Sequence, residues 1–150
     1  MAAATMQARV KWIEERRFVG ESGTGHSIVL GSGKDAQGRT LCPSPMELVL
    51  IGTGGCTAFD VVQILEKGRE PIEDCVVELD ADRANEDPAI FTRIHMHFVV
   101  KGAGVNRDKV ARAIQLSHDK YCSASAMMAK TAEITHDFEV IDSRESEAAA

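Results

Sequence analysis

The alternation of apolar and polar residues predicts that the chain begins with short strands. Residues 8–12 alternate Ala, Val and Trp with Arg and Lys, and two further apolar segments, 18–21 and 26–30, flank a glycine-containing turn. A period of two is typical of strands with one covered face. A polar loop at residues 31–40 then separates these strands from a long apolar segment.

A capping box marks the start of a long helix in that segment. Ser44 stands at the N-cap, Pro45 at the first helical position and Glu47 at the third, the arrangement in which Ser and Glu side chains each bond the other's backbone amide. From residue 44 to residue 65 the only charged residues are Glu47 and Asp60. Apolar residues lie on every side, which predicts a helix buried on several faces.

A glycine run, Gly52-Thr53-Gly54-Gly55, interrupts this helical pattern directly before Cys56. Each glycine inside a helix costs about 1 kcal/mol relative to alanine, so the run indicates a break or a very close contact. We expect that a new helical segment beginning here would offer backbone N–H groups to Cys56.

The second half of the chain predicts two strands, two helices and a last strand. The strands are expected at residues 75–82, 92–101 and 134–141, and the helices at residues 107–120 and from Cys122 onward. The order predicts an α+β fold in which antiparallel sheets surround a buried central helix. One sheet cannot cover so apolar a helix, so we expect a second copy of the chain to do so. A single domain is expected over residues 1–150, with frayed ends at 1–6 and 143–150.

Composition and charge narrow the class of protein. The 150 residues are 44% hydrophobic and 27% charged, which is typical of a soluble domain. A net charge of −6, from 17 basic and 23 acidic residues without a basic cluster, argues against a nucleic-acid partner. The apolar stretches are interrupted short of the ~18 residues that a membrane span needs, and the start lacks a signal-peptide core. We therefore expect no membrane association and a cytoplasmic location.

The remaining candidate chemistry lies in cysteine and histidine. Structural disulfides between Cys42, Cys56, Cys75 and Cys122 are not expected in a reducing compartment, and a single cysteine is more often a small buried residue than a reactive thiol. His95 and His97 share one strand face without an identifiable third ligand. We interpret them as part of an exposed face, and we expect neither a metal nor a cofactor.

Two segments resemble the OsmC/Ohr family of osmotically inducible and organic hydroperoxide resistance proteins. They are PSPMELVLIGTGGCTAFDVV at residues 43–62 and KYCSASAMM at residues 120–128. The likeness covers about residues 7–140 and is greatest to the YhfA-like branch. It implies an OsmC-like fold and an intertwined homodimer with sites at the subunit interface.

The resemblance also implies a function, since the better understood branches reduce organic hydroperoxides. Carried over by motif, Cys56 would be the peroxidatic thiol, Cys122 the resolving thiol, and Glu47 the carboxylate that orients a catalytic arginine. The strand at residues 26–30, near which the family places that arginine, contains none, which leaves Arg39, Arg17 or neither. The implied partners are a small organic hydroperoxide and an external dithiol reductant.

Chemistry sets a condition on this assignment. The thiolate is the nucleophile, and an ordinary cysteine with a pKa of ~8.5 is mostly protonated at neutral pH, so the site needs positive charge or N–H donors. Asp60, one turn after Cys56, would oppose ionisation unless it points away. Two alternatives to an enzyme remain. One is a non-catalytic redox sensor or small-ligand carrier, which the missing strand arginine favours, and the other is a structural stress protein with unreactive cysteines.

Overall fold

The computed structural model describes residues 3–149; the expected frayed positions 1, 2 and 150 lie outside the described residues. The chain divides into two compact units, the first ending at Leu50 and the second beginning at Ile51. Along the chain the elements are β1 (Ala8–Glu14), β2 (Arg16–Ser22), β3 (Ser27–Ser32), α1 (Pro45–Lys67), β4 (Ile72–Arg83), β5 (Phe91–Gly102), α2 (Arg107–Leu116), a π-helical turn (Ser117–Tyr121), α3 (Ser123–Met128), β6 (Glu133–Asp142) and α4 (Ser143–Ala148).

The first unit contains an antiparallel sheet with the strand order β1-β2-β3. Trp12 lies opposite Phe18, which in turn lies opposite Leu30. Every residue of β1 is exposed, including the large side chains of Val10 and Trp12. This strand therefore presents an apolar surface that the unit itself does not cover.

Helix α1 begins at the predicted capping box. The backbone N–H of Glu47 donates to Ser44 Oγ at 3.2 Å, and the backbone N–H of Ser44 donates to Glu47 Oε2 at 2.7 Å. Two of the N–H groups that a helix start leaves without an intrahelical acceptor are thereby satisfied. The capping box is confirmed.

The glycine run does not break α1, which is continuous from Pro45 to Lys67. The alternative expectation, a close contact, is confirmed at Gly54: a Cβ there would lie 2.5 Å from Leu79 Cδ1 of β4. In the single chain, α1 is buried on one face. Its buried residues form one stripe, consisting of Thr53, Gly54, Thr57, Val61 and Leu65.

The second unit contains a sheet with the strand order β4-β5-β6. β4 pairs antiparallel with β5, but β6 pairs parallel with β5, so the expectation of wholly antiparallel sheets is wrong for this pair. The reason is the crossover through α2 and α3, which returns the chain to the end at which β5 begins. The predicted inward face of β5 is confirmed, because its side chains are all buried: Ile94, Met96, Phe98 and Val100.

Two helical regions differ from the sequence prediction. The helix expected over residues 107–120 ends at Leu116 and continues as the π-helical turn. The C-terminal residues, expected to fray, form α4 after Asp142, whose side chain accepts from the backbone N–H of Arg144 at 3.0 Å. This N-cap bond stabilises a short helix at the chain end.

By length and composition alone, α1 is long enough to cross a membrane. The sequence pattern predicted no membrane span, because the apolar stretches are interrupted. The length and composition of α1 show that the charged residues within it do not by themselves exclude one. One face of α1 packs against the sheet of the second unit, where Gly54 meets Leu79 of β4. The other face carries exposed Ile51 and Phe59.

Candidate functional site

Cys56 lies in the middle of α1 and is half-buried. The expectation that a helix begins at Cys56 is wrong, because α1 runs through it without interruption. Inside an α-helix each backbone N–H is bonded to the carbonyl four residues earlier. The backbone of α1 itself therefore offers no free N–H group to a thiolate at Cys56.

Cys122 joins the π-helical turn to α3 and is buried. Its backbone N–H donates to the carbonyl of Ser117 at 2.8 Å. Its Sγ accepts a hydrogen bond from the backbone N–H of Ser125 at 3.3 Å, so the sulfur acts as the N-cap of α3. Both bonds hold the Cys122 sulfur in one orientation.

The Cys56 thiol is near enough to interact with the Cys122 thiol, and neither is in a disulfide. Burial raises the pKa of the Cys122 thiol, the bonds with Ser125 partly offset that rise, and the interaction with Cys56 raises it further. Cys122 is therefore held in its protonated form. Two neighbouring thiols are able to take part in dithiol–disulfide chemistry.

A buried hydroxyl network lies directly beside the dithiol. Thr57 Oγ1 and Ser117 Oγ are 2.9 Å apart, and Ser117 Oγ donates to Asp60 Oδ2 at 2.9 Å. Asp60, whose charge was expected to oppose ionisation of Cys56, is thus bonded to Ser117. The network connects α1 to the turn that ends at Cys122.

A cavity of about 290 Å³ opens between α1 and the segment that leads to Cys122. Its walls are Asp60, Gln63, Ile64, Lys67, Leu116 and Tyr121. Cys56, Asp60, Gln63 and Lys67 follow one another at helical spacing, so they share one face of α1. The cavity therefore lies on the face of α1 that also carries Cys56, one turn farther along the helix.

Glu47 lies in the first turn of α1, where the capping box occupies its carboxylate. The backbone N–H of Ser44 is the main cause that lowers the pKa of this carboxyl, followed by the Ser44 side chain. Helix capping accounts for the position of Glu47.

The two candidate arginines have different surroundings. Arg39 pairs with Asp35 in the polar loop at 2.7 Å, and its side chain is 77% exposed. Arg17 pairs with Glu14, yet its Nε atom is buried and, among the residues that the structure describes, has no hydrogen-bond partner. Arg17 is therefore the candidate with an unused buried donor.

Cys42 and Cys75 do not join the dithiol pair by any bond that the structure gives. Cys42 is buried in the first unit. Cys75 lies half-buried on β4, where burial and then the charge of Asp74 raise its pKa. Both fit the role of small packing residues.

Comparison of this chain with known protein families and known proteins finds close similarity to one family. The family described as OsmC-like protein matches residues 35–137. The protein YhfA of Escherichia coli (strain K12) is 48% identical over 136 residues, which cover 91% of this chain and 98% of YhfA.

The chain belongs to the OsmC-like protein family.

Solved structures agree with this assignment. A hypothetical protein from Aquifex aeolicus VF5 has 28% identity to the OsmC-like chain and a TM-score of 0.81, with 92% of this chain and 97% of that chain covered. The organic hydroperoxide resistance protein OhrB of Bacillus subtilis has 16% identity and a TM-score of 0.62, with 92% and 100% covered, and shows the shared fold. The resemblance and the α+β fold class are thereby confirmed, and family membership supports a stress- or redox-related function.

Sequence reasoning on this OsmC-like chain missed some partners in the site and on the sheet. Ser117 lies in neither motif and Thr57 has no assigned role in the first motif, so small polar residues at buried helix positions were their only signal. Asp137 was missed as the neighbour of His95 and His97, because that contact depends on the parallel register of β5 and β6. Among residues 3–149, no set of three or more His, Cys, Asp or Glu side chains is arranged to hold a metal ion.

Proposed function

We propose that this OsmC-like protein is a thiol-dependent peroxidase that reduces small organic hydroperoxides through Cys56 and Cys122. The observation that carries the proposal is the interaction between the two thiols, which come from separate parts of the second unit. Membership of a family with organic hydroperoxide resistance proteins among its structural neighbours supports the choice of substrate class.

The reaction balances in three steps. The Cys56 thiolate attacks the terminal oxygen of ROOH, the O–O bond breaks, and the alkoxide takes a proton to leave as ROH, while Cys56 becomes a sulfenic acid. Cys122 then attacks the Cys56 sulfur, which forms the disulfide and releases the hydroxyl oxygen as water with the Cys122 proton. An external dithiol restores both thiols by exchange and is itself oxidised to a disulfide.

Different surroundings of the two sulfurs support these roles. Cys56 is the more accessible sulfur and shares its helix face with the cavity, whereas Cys122 is buried and its raised pKa favours the thiol. We assign the apolar walls of the cavity, Ile64, Leu116 and Tyr121, to the hydrocarbon part of the hydroperoxide. A cytoplasmic location would supply the reducing dithiol.

A homodimer is part of the proposal. Ile51 is 60% exposed and Phe59 is 67% exposed on α1, and exposed apolar residues in such numbers mark an interaction surface. A second copy covering this face would complete the site at the interface. Arg17 is our choice for the cation, because of its buried free Nε, with Glu47 as the carboxylate that orients it.

Consumption of cumene hydroperoxide in the presence of dithiothreitol tests the proposal. Cys56→Ser is expected to abolish turnover, and Cys122→Ser, treated with the hydroperoxide before dithiothreitol is added, is expected to stop at the Cys56 sulfenic acid. Cys42→Ser and Cys75→Ser are matched controls that keep turnover. Activity that persists in Cys56→Ser would remove the mechanism. Arg17→Ala against Arg39→Ala then tests the cation, with the loss expected in the former alone.

A second candidate function is a redox sensor that uses the same dithiol without turnover. The absence of an arginine from β3 favours it, because less positive charge near Cys56 means slower attack on peroxide. For a sensor, stoichiometric peroxide would form the Cys56–Cys122 disulfide, but added dithiol would not sustain peroxide consumption. A failure to form that disulfide would exclude both functions.

A further inference from the structure

We infer that Ser117, bonded to Thr57 and Asp60, is a positioning residue that holds Cys122 against Cys56. The inference deepens the proposed function, since it concerns the resolving step of the same dithiol. It assigns a role to Ser117, which lies outside both cysteine motifs, and to the hydroxyl network that it forms with two residues of the first motif.

The hydrogen bonds of the network have a defined direction. Ser117 Oγ has one hydrogen and donates it to Asp60 Oδ2 at 2.9 Å. The 2.9 Å contact between Thr57 and Ser117 is therefore donated by Thr57 Oγ1 to Ser117 Oγ. Ser117 is 0% exposed and Thr57 3%, so water does not compete with these bonds, and leaving either hydroxyl without a partner would be costly.

Ser117 is bonded through its side chain to the part of α1 that carries Cys56, and through its backbone to Cys122. Its side chain is bonded to Thr57, the residue after Cys56, and to Asp60, one turn farther along α1. Its backbone carbonyl accepts the N–H of Cys122 at 2.8 Å, a bond that closes the π-helical turn. π-Helical turns are rare and occur frequently at functional sites. One residue thus fixes the backbone of Cys122 relative to the helix turn that carries Cys56.

Loss of this network is expected to affect one step of the reaction, the attack of Cys122 on the oxidised Cys56. Attack by Cys122 on the oxidised Cys56 sulfur requires both sulfurs in bonding geometry, with an S–S bond forming as the S–O bond breaks. Loss of the network lets the turn move, which lowers the effective concentration of Cys122 at Cys56. The first oxidation involves Cys56 and the peroxide, so it does not depend on the position of Cys122.

A redox equilibrium with dithiothreitol measures this effect without any peroxide. Reduced protein and oxidised dithiothreitol exchange to protein disulfide and reduced dithiothreitol, and trapped thiols are counted by mass. Ser117→Ala is expected to lower the equilibrium constant for the protein disulfide about tenfold, through the lost positioning. A tenfold change corresponds to about 30 mV for a two-electron couple.

Matched variants separate positioning from general loss of stability. Thr57→Val removes the donor and keeps the shape, whereas Thr57→Ser keeps the hydroxyl and is expected to stay near the wild-type constant. Asp60→Asn keeps an acceptor without the charge and is also expected to stay near wild type. Val110→Ala destabilises the core of the neighbouring helix, where Val110 is fully buried, and should leave the constant unchanged in the folded protein.

The outcomes distinguish this inference from the proposed function. An unchanged constant in both Ser117→Ala and Thr57→Val overturns the positioning role, as does an equal change in Thr57→Val and Thr57→Ser. If Ser117→Ala does not fold, the two Thr57 variants give the answer. A wild type that fails to consume hydroperoxide but shows the expected shifts ends the peroxidase proposal and keeps the positioning role. No disulfide in the wild type ends both.

Discussion

The neighbouring thiols of Cys56 and Cys122 differ in burial, since Cys122 is closed off from solvent and Cys56 is only half-buried. Burial is the main cause of the raised pKa of Cys122, and the interaction with Cys56 adds to it. The pair is therefore asymmetric before any oxidant arrives. An asymmetric pair suits a mechanism in which one thiol attacks and the other resolves.

Iodoacetamide is expected to modify Cys56 well before Cys122 at about pH 8, because alkylation requires an accessible thiolate. The rate at Cys122 should rise only when the pH passes above the usual thiol range, in line with its raised pKa. Peptide mass mapping over time measures both rates. As a control, Cys56→Ala removes one cause of that rise and should move the Cys122 profile modestly to lower pH. Faster alkylation of Cys122 than of Cys56 would contradict the assigned asymmetry.

The glycines of α1 provide a matched set for stability. Gly54→Ala is expected to destabilise the protein by about 1–3 kcal/mol through overpacking, because the new Cβ would meet Leu79 Cδ1 at 2.5 Å. Gly52→Ala should stabilise by up to about 1 kcal/mol through helix propensity, because nothing lies within 4 Å of a Cβ there. Urea denaturation measures both. A Gly52→Ala protein that is less stable would mean that another subunit covers this position closely.

Much of this fold could be predicted from local patterns. The capping box of Ser44 and Glu47 and the inward face of β5 depend on neighbouring residues in the sequence, so the sequence determines them directly. The resemblance located both cysteine motifs. The parallel pairing of β6, by contrast, depends on the path of the crossover, and no alternation pattern distinguishes parallel from antiparallel neighbours.

The site was harder to predict where it depends on packing. The glycine run before Cys56 was compatible with a break or a close approach, and only the position of Leu79 decides between them. The network of Thr57, Ser117 and Asp60 joins residues far apart in the sequence whose types are unremarkable. Such contacts follow from tertiary structure and leave no periodic signal.

Glu47 and Ser44 allow the capping role to be separated from a catalytic one. Ser44→Ala is expected to cost about 1 kcal/mol, the usual price of an N-cap. The fold lowers the pKa of Glu47, so ionised Glu47 stabilises the protein above the ordinary carboxyl pKa, and that contribution is lost as the pH falls through the lowered value. The stability difference between wild type and Glu47→Gln should therefore shrink as the pH falls from neutral to below the ordinary value of 4.5.

Activity then tells the two roles apart. If Glu47 orients an arginine, Glu47→Gln should lower peroxide turnover more than Ser44→Ala does, since Ser44→Ala weakens the cap but keeps the charge. Equal losses of turnover in the two variants, each proportional to its loss of stability, would leave Glu47 with capping alone.

The exposed face of α1 makes a prediction about assembly. Phe59→Asp is expected to convert the proposed homodimer to monomer, because a charge replaces a side chain that is 67% exposed in the single chain and would be desolvated at an interface. Phe59→Leu keeps the apolar character and should stay dimeric. Sedimentation velocity at several protein concentrations measures the state. A wild type that is monomeric throughout would end the dimer proposal.

His97 and Asp137 predict a pH effect on the outer face of the second sheet. His97 Nδ1 and Asp137 Oδ1 are 2.8 Å apart, and His97 Nε2 and Glu139 Oε1 are 3.4 Å apart. The bond with Asp137 is the main cause that raises the pKa of His97, and the bond with His97 is the main cause that lowers the pKa of Asp137. A raised histidine pKa stabilises the fold below the unfolded value, and the contribution is lost as the pH rises through the folded value.

Asp137→Asn should therefore lower the pKa of His97, as measured by the pH dependence of its ring proton resonances. The variant's stability deficit should be greatest between the two ordinary values, 3.8 for the aspartate and 6.5 for the histidine, because both groups are charged there. It should shrink above that window as His97 loses its proton, and below it as Asp137 gains one. Glu139→Gln is the matched control, with a smaller change expected from the longer contact. A His97 titration that Asp137→Asn does not move would show that the ion pair does not persist in solution.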